Sequence, residues 1–238
     1  LIQGLYDAHR NGAKVLALAS HIPSRQIGSK FFQETHPEAI FQECSGYCEM
    51  VNSAEQGGVV LHHAIQSTMA GKGVSVLVIP GDVSTQEAEE DTFTSSVISS
   101  GRPVVYPDPA EAAALTQAIN EAKTVALFVG AGVKDAREQV LALAEKIKAP
   151  IGHALGGKMY IQYENPFDVG MNGLLGYGAA HEATHEADLL ILLGTDFPYN
   201  DFLPDANVAQ VDINGSHIGR RTKISSPVTC DVAATIEN

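Results

Sequence analysis

The sequence is poor in basic residues. Lysine and arginine number 15 against 28 aspartate and glutamate residues, which gives a formal net charge of −13. A nucleic-acid surface needs clustered lysine and arginine, so this balance argues against nucleic-acid binding and against a polybasic membrane patch. No apolar run approaches the roughly 20 residues that a membrane-spanning helix needs.

Cysteine is also scarce. The three cysteines, Cys44, Cys48 and Cys230, are too few for a disulfide framework and fit a reducing compartment. The spacing of Cys44 and Cys48 can place both on one helix face, but no second pair completes a metal site. We therefore interpret them as buried thiols and predict no bound metal in this chain.

The chain begins LIQGLYDAHRNG, without an initiator methionine or a charged-then-apolar signal pattern. Leu1, Ile2, Leu5 and Tyr6 fall on one face of a predicted helix. The expectation is that the sequence is a fragment of a longer protein.

Two α/β segments follow one another along the chain. In the first, residues 14–20 and 73–82 are short continuous apolar runs, which predict strands buried on both faces, and residues 55–69 predict a helix between them. Residues 84–108 are polar and acidic without a sustained period, which indicates an interdomain linker.

The second segment predicts a doubly wound parallel sheet. Asp108 and Pro109 offer an N-cap and a first-turn proline for a helix over residues 109–122. A later helix carries an apolar stripe of Ala136, Val140, Leu143 and Ile147. Predicted strands cover residues 124–129, 150–154, 188–193, 208–213 and 228–230. In such sheets ligands bind beyond the carboxyl ends of the strands.

A glycine turn, Gly130-Ala131-Gly132, follows the first of these strands and precedes a helix. Backbone amides there can meet a phosphate at the helix N-terminus. Asp135 stands where a dinucleotide fingerprint has its third glycine, so a turn without a ligand is about equally compatible with this motif alone.

Further candidates follow the other strands. Gly156 and Gly157 follow the second strand, Gly176 and Gly178 precede a helix, Gly194 closes the third strand, and Asp212 closes the fourth. A carboxylate at Asp212 can accept a hydrogen bond from ribose or adenine. Several such features on consecutive strand ends predict an extended nucleotide cleft.

A different motif indicates a zinc site. His181-Glu182-Ala183-Thr184-His185 matches the helical zinc-protease pattern, in which two histidines four apart bind zinc and the glutamate acts as base. No clear third ligand follows, and a solvated polar helix face is the alternative interpretation.

The resemblance to a known family is carried by six stretches: LIQGLYDAHRNGAKVLALASHIPS, FFQETHPEAIFQECSGYCEMV, GVSVLVIPGDV, KIKAPIGHALGGK, ENPFDVGMNGLLGY and LLGTDFPYNDF. They are similar to the thiamine-diphosphate-dependent pyruvate oxidases, and above all to the quinone-reducing type, pyruvate dehydrogenase (quinone). The similarity covers essentially the whole chain.

The resemblance implies a domain organisation. Residues 1–83 would be the second half of a domain that binds the thiamine pyrimidine, residues 84–108 a linker, and residues 109–238 the middle, FAD-binding domain. The activating glutamate would precede this chain. The motif that binds Mg²⁺ and diphosphate would follow the chain, as would a C-terminal lipid-binding segment. The fragment alone would then be inactive.

The resemblance also implies site residues. Phe32 and Gln33 match a pair near the reactive carbon of thiamine. The matching FAD-binding positions are Gly130, Gly132, His153, Ala154, Leu155, Gly156, Gly176, Tyr177, Gly178, Ala179, Ala180, Gly194 and Asp212. The family often carries an arginine where this chain has Gly156.

The implied reaction is oxidative decarboxylation of pyruvate to acetate and CO₂, with electrons passing through FAD to a quinone. The implied assembly is a homo-oligomer, a tetramer in the family. It would be cytoplasmic and peripheral at the inner membrane face, with membrane association only through the segment outside this chain. The alternatives are an acetolactate synthase-like enzyme with structural FAD, a catalytically silent fragment, and the zinc hydrolase.

Overall fold

The computed structural model of the protein describes residues 1–88, 97–176, 178–205 and 207–237. The chain divides into two compact units, Leu1–Arg102 and Pro103–Asn238. None of the helices in the described ranges is both long and apolar enough to span a membrane.

The first unit is built on three parallel strands in the order β1-β3-β2. Its elements are α1 (Ile2–Arg10), β1 (Val15–His21), α2 (Pro37–Phe41), β2 (Tyr47–Met50), α3 (Ala54–Ser67) and β3 (Val74–Pro80). The Ser53 side chain accepts the amide of Gln56 and so caps the N-terminus of α3. Of the apolar face predicted for α1, Leu5 is buried and Leu1 is exposed.

The prediction that residues 14–20 form a strand is confirmed, but the prediction that both faces are buried is wrong. Ala17 and Ala19 pack into the core on one face of β1, whereas Leu16 and Leu18 are 36% and 62% exposed on the other. Leu18 is in register with Leu77 of β3 on the face that α3 covers, but α3 packs over β3 and β2 and not over β1 at the edge of the described sheet. β3 lies at its centre and is buried on both faces, with residues of α3 packed against Leu77.

The described residues of the second unit form six parallel strands in the order β6-β5-β4-β7-β8-β9. The strands are β4 (Val125–Val129), β5 (Ile151–His153), β6 (Asp168–Met171), β7 (Leu189–Leu193), β8 (Val208–Asp212) and β9 (Ser226–Thr229). The helices are α4 (Pro109–Glu121), α5 (Arg137–Ile147), α6 (Lys158–Ile161), α7 (Gly178–Glu186) and α8 (Val232–Glu237).

This order makes the sheet doubly wound. From β4 the chain adds β5 and β6 on one side and then β7, β8 and β9 on the other. The side on which successive strands are added therefore changes between β4 and β7. This position is the topological switch point, where such sheets bind ligands. The predicted α/β fold class is confirmed.

Both faces of this sheet are covered. Leu127 and Val129 of β4 pack with residues of α4 and α5 on one face, and Phe128 packs in a second apolar cluster on the other. Alternation between two buried faces is why β4 reads as a continuous apolar run. The Asp108 side chain accepts the amides of Ala110 and Glu111, which confirms the predicted N-cap of α4.

Two strands, β2 and β6, were not predicted. The spacing of Cys44 and Cys48 does not place them on one helix face, because Cys44 ends a 3-10 turn and Cys48 lies in β2. Burial raises the pKa of the half-buried Cys48 thiol to about 11. All three cysteines are free thiols.

The predicted linker is divided between the two units. Residues 89–96 lie outside the described residues. Beyond them, the Ser99 backbone exchanges two hydrogen bonds with the Gln66 side chain of the first unit. In the second unit the amide of Val105 donates to Asp231 Oδ2. The domain roles that the resemblance implies for the two units stay predictions.

Candidate functional site

Three predicted glycines meet at the switch point of the second unit. The amide of Gly130 donates to the carbonyl of Leu193 at 3.1 Å, and that of Gly132 donates to the carbonyl of Gly194 at 2.9 Å. A Cβ atom on Gly132 would lie 2.6 Å from Gly194 Cα, which no side chain tolerates. Glycine is therefore required because the loops after β4 and β7 pack backbone against backbone.

This packing changes the role expected of the turn. The amides of Gly130 and Gly132 already have acceptors, at the last residue of β7 and at Gly194 just after it, so in this conformation they do not point at a phosphate. They join the backbone after β4 to the end of β7. Direct contact of these two residues with a cofactor stays a prediction.

The loop after β5 lies beside this turn. The amide of Ala154 donates to Val129 O at 2.9 Å, and Gly157 packs so closely that a Cβ atom would lie 2.7 Å from the same carbonyl. Gly156 is different, since the nearest atom to its Cβ position is the Ala131 Cβ at 3.8 Å. Leu155 is 64% exposed. Leu155 and Gly156 thus present an open surface at the carboxyl edge.

His153 is enclosed, with 1% of its surface exposed. Its Nδ1 lies 3.2 Å from the Ala154 carbonyl, to which it donates in the tautomer that fits a carbonyl partner. Its Nε2 lies 3.5 Å from Asp168 Oδ1, and neither of these two atoms has a hydrogen-bond partner. Burial lowers the pKa of His153, although the nearby Asp168 opposes that shift. In this conformation the imidazole is part of the interior and not of the open edge.

The segment after β6 carries the second predicted glycine loop. A Cβ atom on Gly176 would lie 2.4 Å from the Met171 carbonyl, so this glycine allows a tight turn. Gly178 opens α7, Ala179 is exposed and Ala180 is buried, whereas Tyr177 lies outside the described residues. Leu174 and Leu175 are each 70% exposed.

Asp212 lies at the carboxyl end of β8 and is 5% exposed. Its Oδ1 accepts the amide of Asn214 at 2.8 Å, and its Oδ2 lies 3.3 Å from His217 Nδ1. Each carboxylate oxygen has more than one lone pair, so the group keeps capacity for a hydroxyl donor. This is the chemistry that a ribose-binding carboxylate needs.

Sequence reasoning missed a charged cluster formed by the loops after β7 and β8. Arg220 Nη1 lies 2.9 Å from Asp196 Oδ2, and Arg221 Nε lies 3.3 Å from Asp196 Oδ1. Asp196 follows β7, and the arginines belong to the loop after β8. The sequence carried one signal for this cluster. Asp196 and the two arginines follow two predicted strands, and the carboxyl ends of those strands lie at the same edge of the sheet.

Phe32 and Gln33 belong to the first unit, in the loop between β1 and α2. Phe32 is 79% exposed, and Gln33 has a left-handed backbone with φ 65°. An exposed phenylalanine on a conformationally constrained loop is typical of a residue presented to a partner or ligand.

The two histidines of the zinc-protease pattern stack on α7, with ring centroids 3.9 Å apart. His185 Nδ1 bonds to the His181 carbonyl of its own helix. Within the described ranges no group of three or more metal-binding side chains includes them. The geometry therefore adds nothing to the zinc hypothesis beyond the sequence pattern.

Comparison with protein families gives one match over the second unit. The family model for the thiamine pyrophosphate enzyme central domain matches residues 112–238. This match covers the sheet, the switch point and the carboxyl-end loops described above.

Individual relatives are similar over nearly the whole chain. An uncharacterised 42.6 kDa protein of Pseudomonas amyloderamosa is 47% identical, over 99% of this chain and 60% of its own length. The Bacillus subtilis protein YdaP, provisionally named a thiamine pyrophosphate-containing protein, is 37% identical over 98% of the chain and 41% of its own length.

More distant relatives carry names of specific enzymes. The pyruvate oxidase of Lactiplantibacillus plantarum is 26% identical, over 99% of the chain and 40% of its own length. Acetolactate synthases match at 26 to 29% identity. The chain thus spans between 40% and 60% of the length of the three individual relatives above.

Proposed function

The chain belongs to the thiamine pyrophosphate enzymes, and from this we propose that it forms part of a pyruvate-oxidising flavoenzyme of that family. The whole enzyme would convert pyruvate and water to acetate and CO₂, and the two electrons and two protons released would pass through FAD to a quinone, giving the quinol. Thiamine diphosphate and Mg²⁺ would be bound by parts of the enzyme other than the second unit.

The observation that carries the proposal is the strand order of the second unit. An order that reverses between β4 and β7 is the one in which open parallel sheets bind dinucleotides, across the carboxyl ends of those strands. The glycines at this point allow the loops to approach closely. Leu155 follows β5 and Asp212 ends β8, so both lie at the carboxyl edge of the sheet.

The residues along this edge fit a flavin dinucleotide. Asp212 offers a buried carboxylate for a ribose hydroxyl, and Gly156 leaves room beside Ala131. Leu155, Leu174 and Leu175 offer exposed apolar surface that suits a planar aromatic ring system.

When bound, thiamine diphosphate supplies the carbon nucleophile for decarboxylation and FAD supplies a two-electron acceptor. The part of this chain is to bind, orient and exclude water. Phe32 would pack against the reacting centre and keep water from it. The Gln33 amide would donate a hydrogen bond to a substrate oxygen.

The second candidate is an acetolactate synthase-like enzyme in which FAD has a structural role. It is supported by the acetolactate synthases, whose identity to this chain equals or exceeds that of the pyruvate oxidase. Addition of pyruvate to the flavin-loaded enzyme without oxygen separates the two. Bleaching of the flavin absorption supports the oxidase, whereas an unreduced flavin with acetolactate formed supports the synthase.

Flavin binding is tested by titrating the purified protein with FAD and recording its visible absorption and fluorescence. We expect stoichiometric binding by the wild type. Asp212→Asn should weaken binding on the order of tenfold, because an amide is a weaker acceptor than a carboxylate for a hydroxyl donor. Glu145→Gln, an exposed acid on α5, is the matched control. A wild-type protein that binds no FAD would contradict the proposal.

The assembly and location are part of the same proposal. The enzyme would be a homo-oligomer, a tetramer as in the family, that works in the cytoplasm and meets the membrane quinone peripherally. Analytical ultracentrifugation of the flavin-loaded enzyme, with and without lipid vesicles, measures both properties.

A further inference from the structure

The loop that presents Phe32 and Gln33 is held by a carboxylate on its own chain. Glu34 Oε1 accepts the amide of Gly28 at 2.5 Å, and Glu34 Oε2 accepts the amide of Phe31 at 3.1 Å. Both oxygens of one side chain are therefore used to fold the preceding six residues back on themselves.

A second carboxylate fixes the start of the same loop. Asp82, which follows β3, accepts the Ser24 amide at 2.7 Å through Oδ1 and the Ser24 hydroxyl at 2.6 Å through Oδ2. Because β1 and β3 are paired neighbours, this contact ties the loop after β1 to the end of β3. The Asp82 carboxylate thus holds the start of the loop and the Glu34 carboxylate holds its end, and we call these two groups the carboxylate clamps.

The backbone between the clamps is strained. Lys30 and Gln33 have φ values of 58° and 65°, in the left-handed region that side chains with a Cβ atom disfavour. Such a backbone conformation is unfavourable for residues other than glycine, so surrounding contacts must stabilise it. The Glu34 carboxylate contacts lie within the strained stretch and satisfy two of its amides.

The charge state of the clamp favours these bonds. The backbone amides, that of Gly28 first, hold the pKa of the Glu34 carboxyl below its ordinary value, with His36 contributing in the same direction. The group is therefore an anion at neutral pH, and hydrogen bonds to an ionised acceptor are the stronger kind. A neutral side chain of the same size would not replace both bonds.

We infer that Glu34 is a positioning residue that fixes the backbone of residues 28–33 so that Phe32 and Gln33 are presented in one conformation. Glu34 itself does not contact substrate in this assignment, and it acts through the two amides. The inference rests on the proposed function, in which Phe32 and Gln33 lie at the reacting centre.

The test uses Glu34→Gln, which keeps the size of the side chain. The glutamine oxygen can accept one amide, but its NH₂ group then faces the other amide as a second donor. We expect amide hydrogen exchange at Gly28 and Phe31 to become about tenfold faster. In the whole enzyme loaded with thiamine diphosphate, Mg²⁺ and FAD, we expect kcat to fall on the order of 10- to 100-fold with KM nearly unchanged, because misplaced groups lose transition-state contacts.

Glu87→Gln is the control, since it removes an equal charge at an exposed position of the same unit. It should alter neither exchange nor kcat. Thermal unfolding of both variants measures whether the fold survives, and a fold that persists in Glu34→Gln excludes a general loss of structure. A second variant, Glu34→Asp, keeps the charge but shortens the reach and should also raise the exchange rate.

Two results would overturn the inference. One is unchanged exchange at Gly28 and Phe31 in Glu34→Gln, and the other is faster exchange with wild-type kcat. A different result would overturn the proposed function. A wild-type enzyme that binds thiamine diphosphate and FAD but consumes no pyruvate would overturn that function and the catalytic role of the loop. The exchange measurement would still decide whether Glu34 holds the backbone.

Discussion

Among single residues, His153 shows how enclosure controls protonation. Its imidazole is 1% exposed, and burial lowers its pKa from the ordinary value of 6.5. The facing groups are the Asp168 carboxylate, which favours the charged form, and Lys158, which disfavours it. Burial is the largest of these influences, so the neutral form is favoured in the folded protein.

The first prediction is a loss of stability in mild acid. The unfolded chain takes up the His153 proton at a pH where the folded chain does not, so the free energy of unfolding falls as the pH drops below about 6.5. Above that pH the contribution is constant. Urea unfolding between about pH 7.5 and 5 should show a shallower pH slope in His153→Phe than in the wild type.

His181→Phe is the control for this measurement, because His181 is exposed on α7. It should keep the wild-type slope. Identical slopes in His153→Phe and the wild type would show that His153 does not titrate differently in the folded and unfolded chains.

Some site residues could be predicted from the sequence and others could not. The Gly130-Ala131-Gly132 turn and Asp212 were found because strand ends can be read from apolar runs. Their contacts were not predicted, since Gly194, although itself a predicted site residue, packs on Gly132 and His217 approaches Asp212 only once neighbouring strands are paired. Glu34 was missed because its role depends on two backbone amides, which have no sequence signal.

At the scale of elements, the loop after β5 contains two adjacent glycines, one tightly packed and the other open. Gly157 packs against the Val129 carbonyl and the Gly130 backbone, whereas Gly156 has open space beside Ala131. The same substitution should therefore have different effects at neighbouring positions.

The second prediction compares Gly157→Ala with Gly156→Ala. The first forces a Cβ atom to 2.7 Å from a backbone oxygen that cannot move away freely, and it should destabilise the protein by about 1–3 kcal/mol. The second should change stability by less than about 0.5 kcal/mol. Denaturant unfolding checks both, and equal losses would mean that this loop does not pack as described.

Strand prediction succeeded where a run is apolar and continuous, as in β4, β7 and β8. It failed at β2 and β6, which contain only four residues each and include charged or glycine positions. β6 also carries Gly170 with φ 90° and a register shift against β5. Pairing with an existing neighbour stabilises such strands, and a single sequence does not display that neighbour.

For the whole molecule, the exposed face of β1 bears on whether copies of the chain associate in solution. Leu18 is 62% exposed and Leu16 is 36% exposed on the outer face of an edge strand. Apolar side chains beside an unpaired strand edge favour association between copies.

The third prediction is concentration-dependent self-association of this chain. Sedimentation velocity should show species larger than a monomer, and Leu18→Lys should shift the distribution toward monomer, because a charge on that face opposes pairing. Val59→Lys, on an exposed position of α3, is the control. A wild-type chain that stays monomeric at high concentration would contradict the prediction.

The contact between Gly132 and Gly194 joins residues about sixty positions apart in the sequence. During synthesis, β4 and its glycine turn leave the ribosome first, and at 5–20 residues per second β7 follows several seconds later. The carboxyl edge between β4 and β7 cannot form in that interval. Under the proposed function, a nascent chain would therefore bind no FAD until β7 is paired with β4.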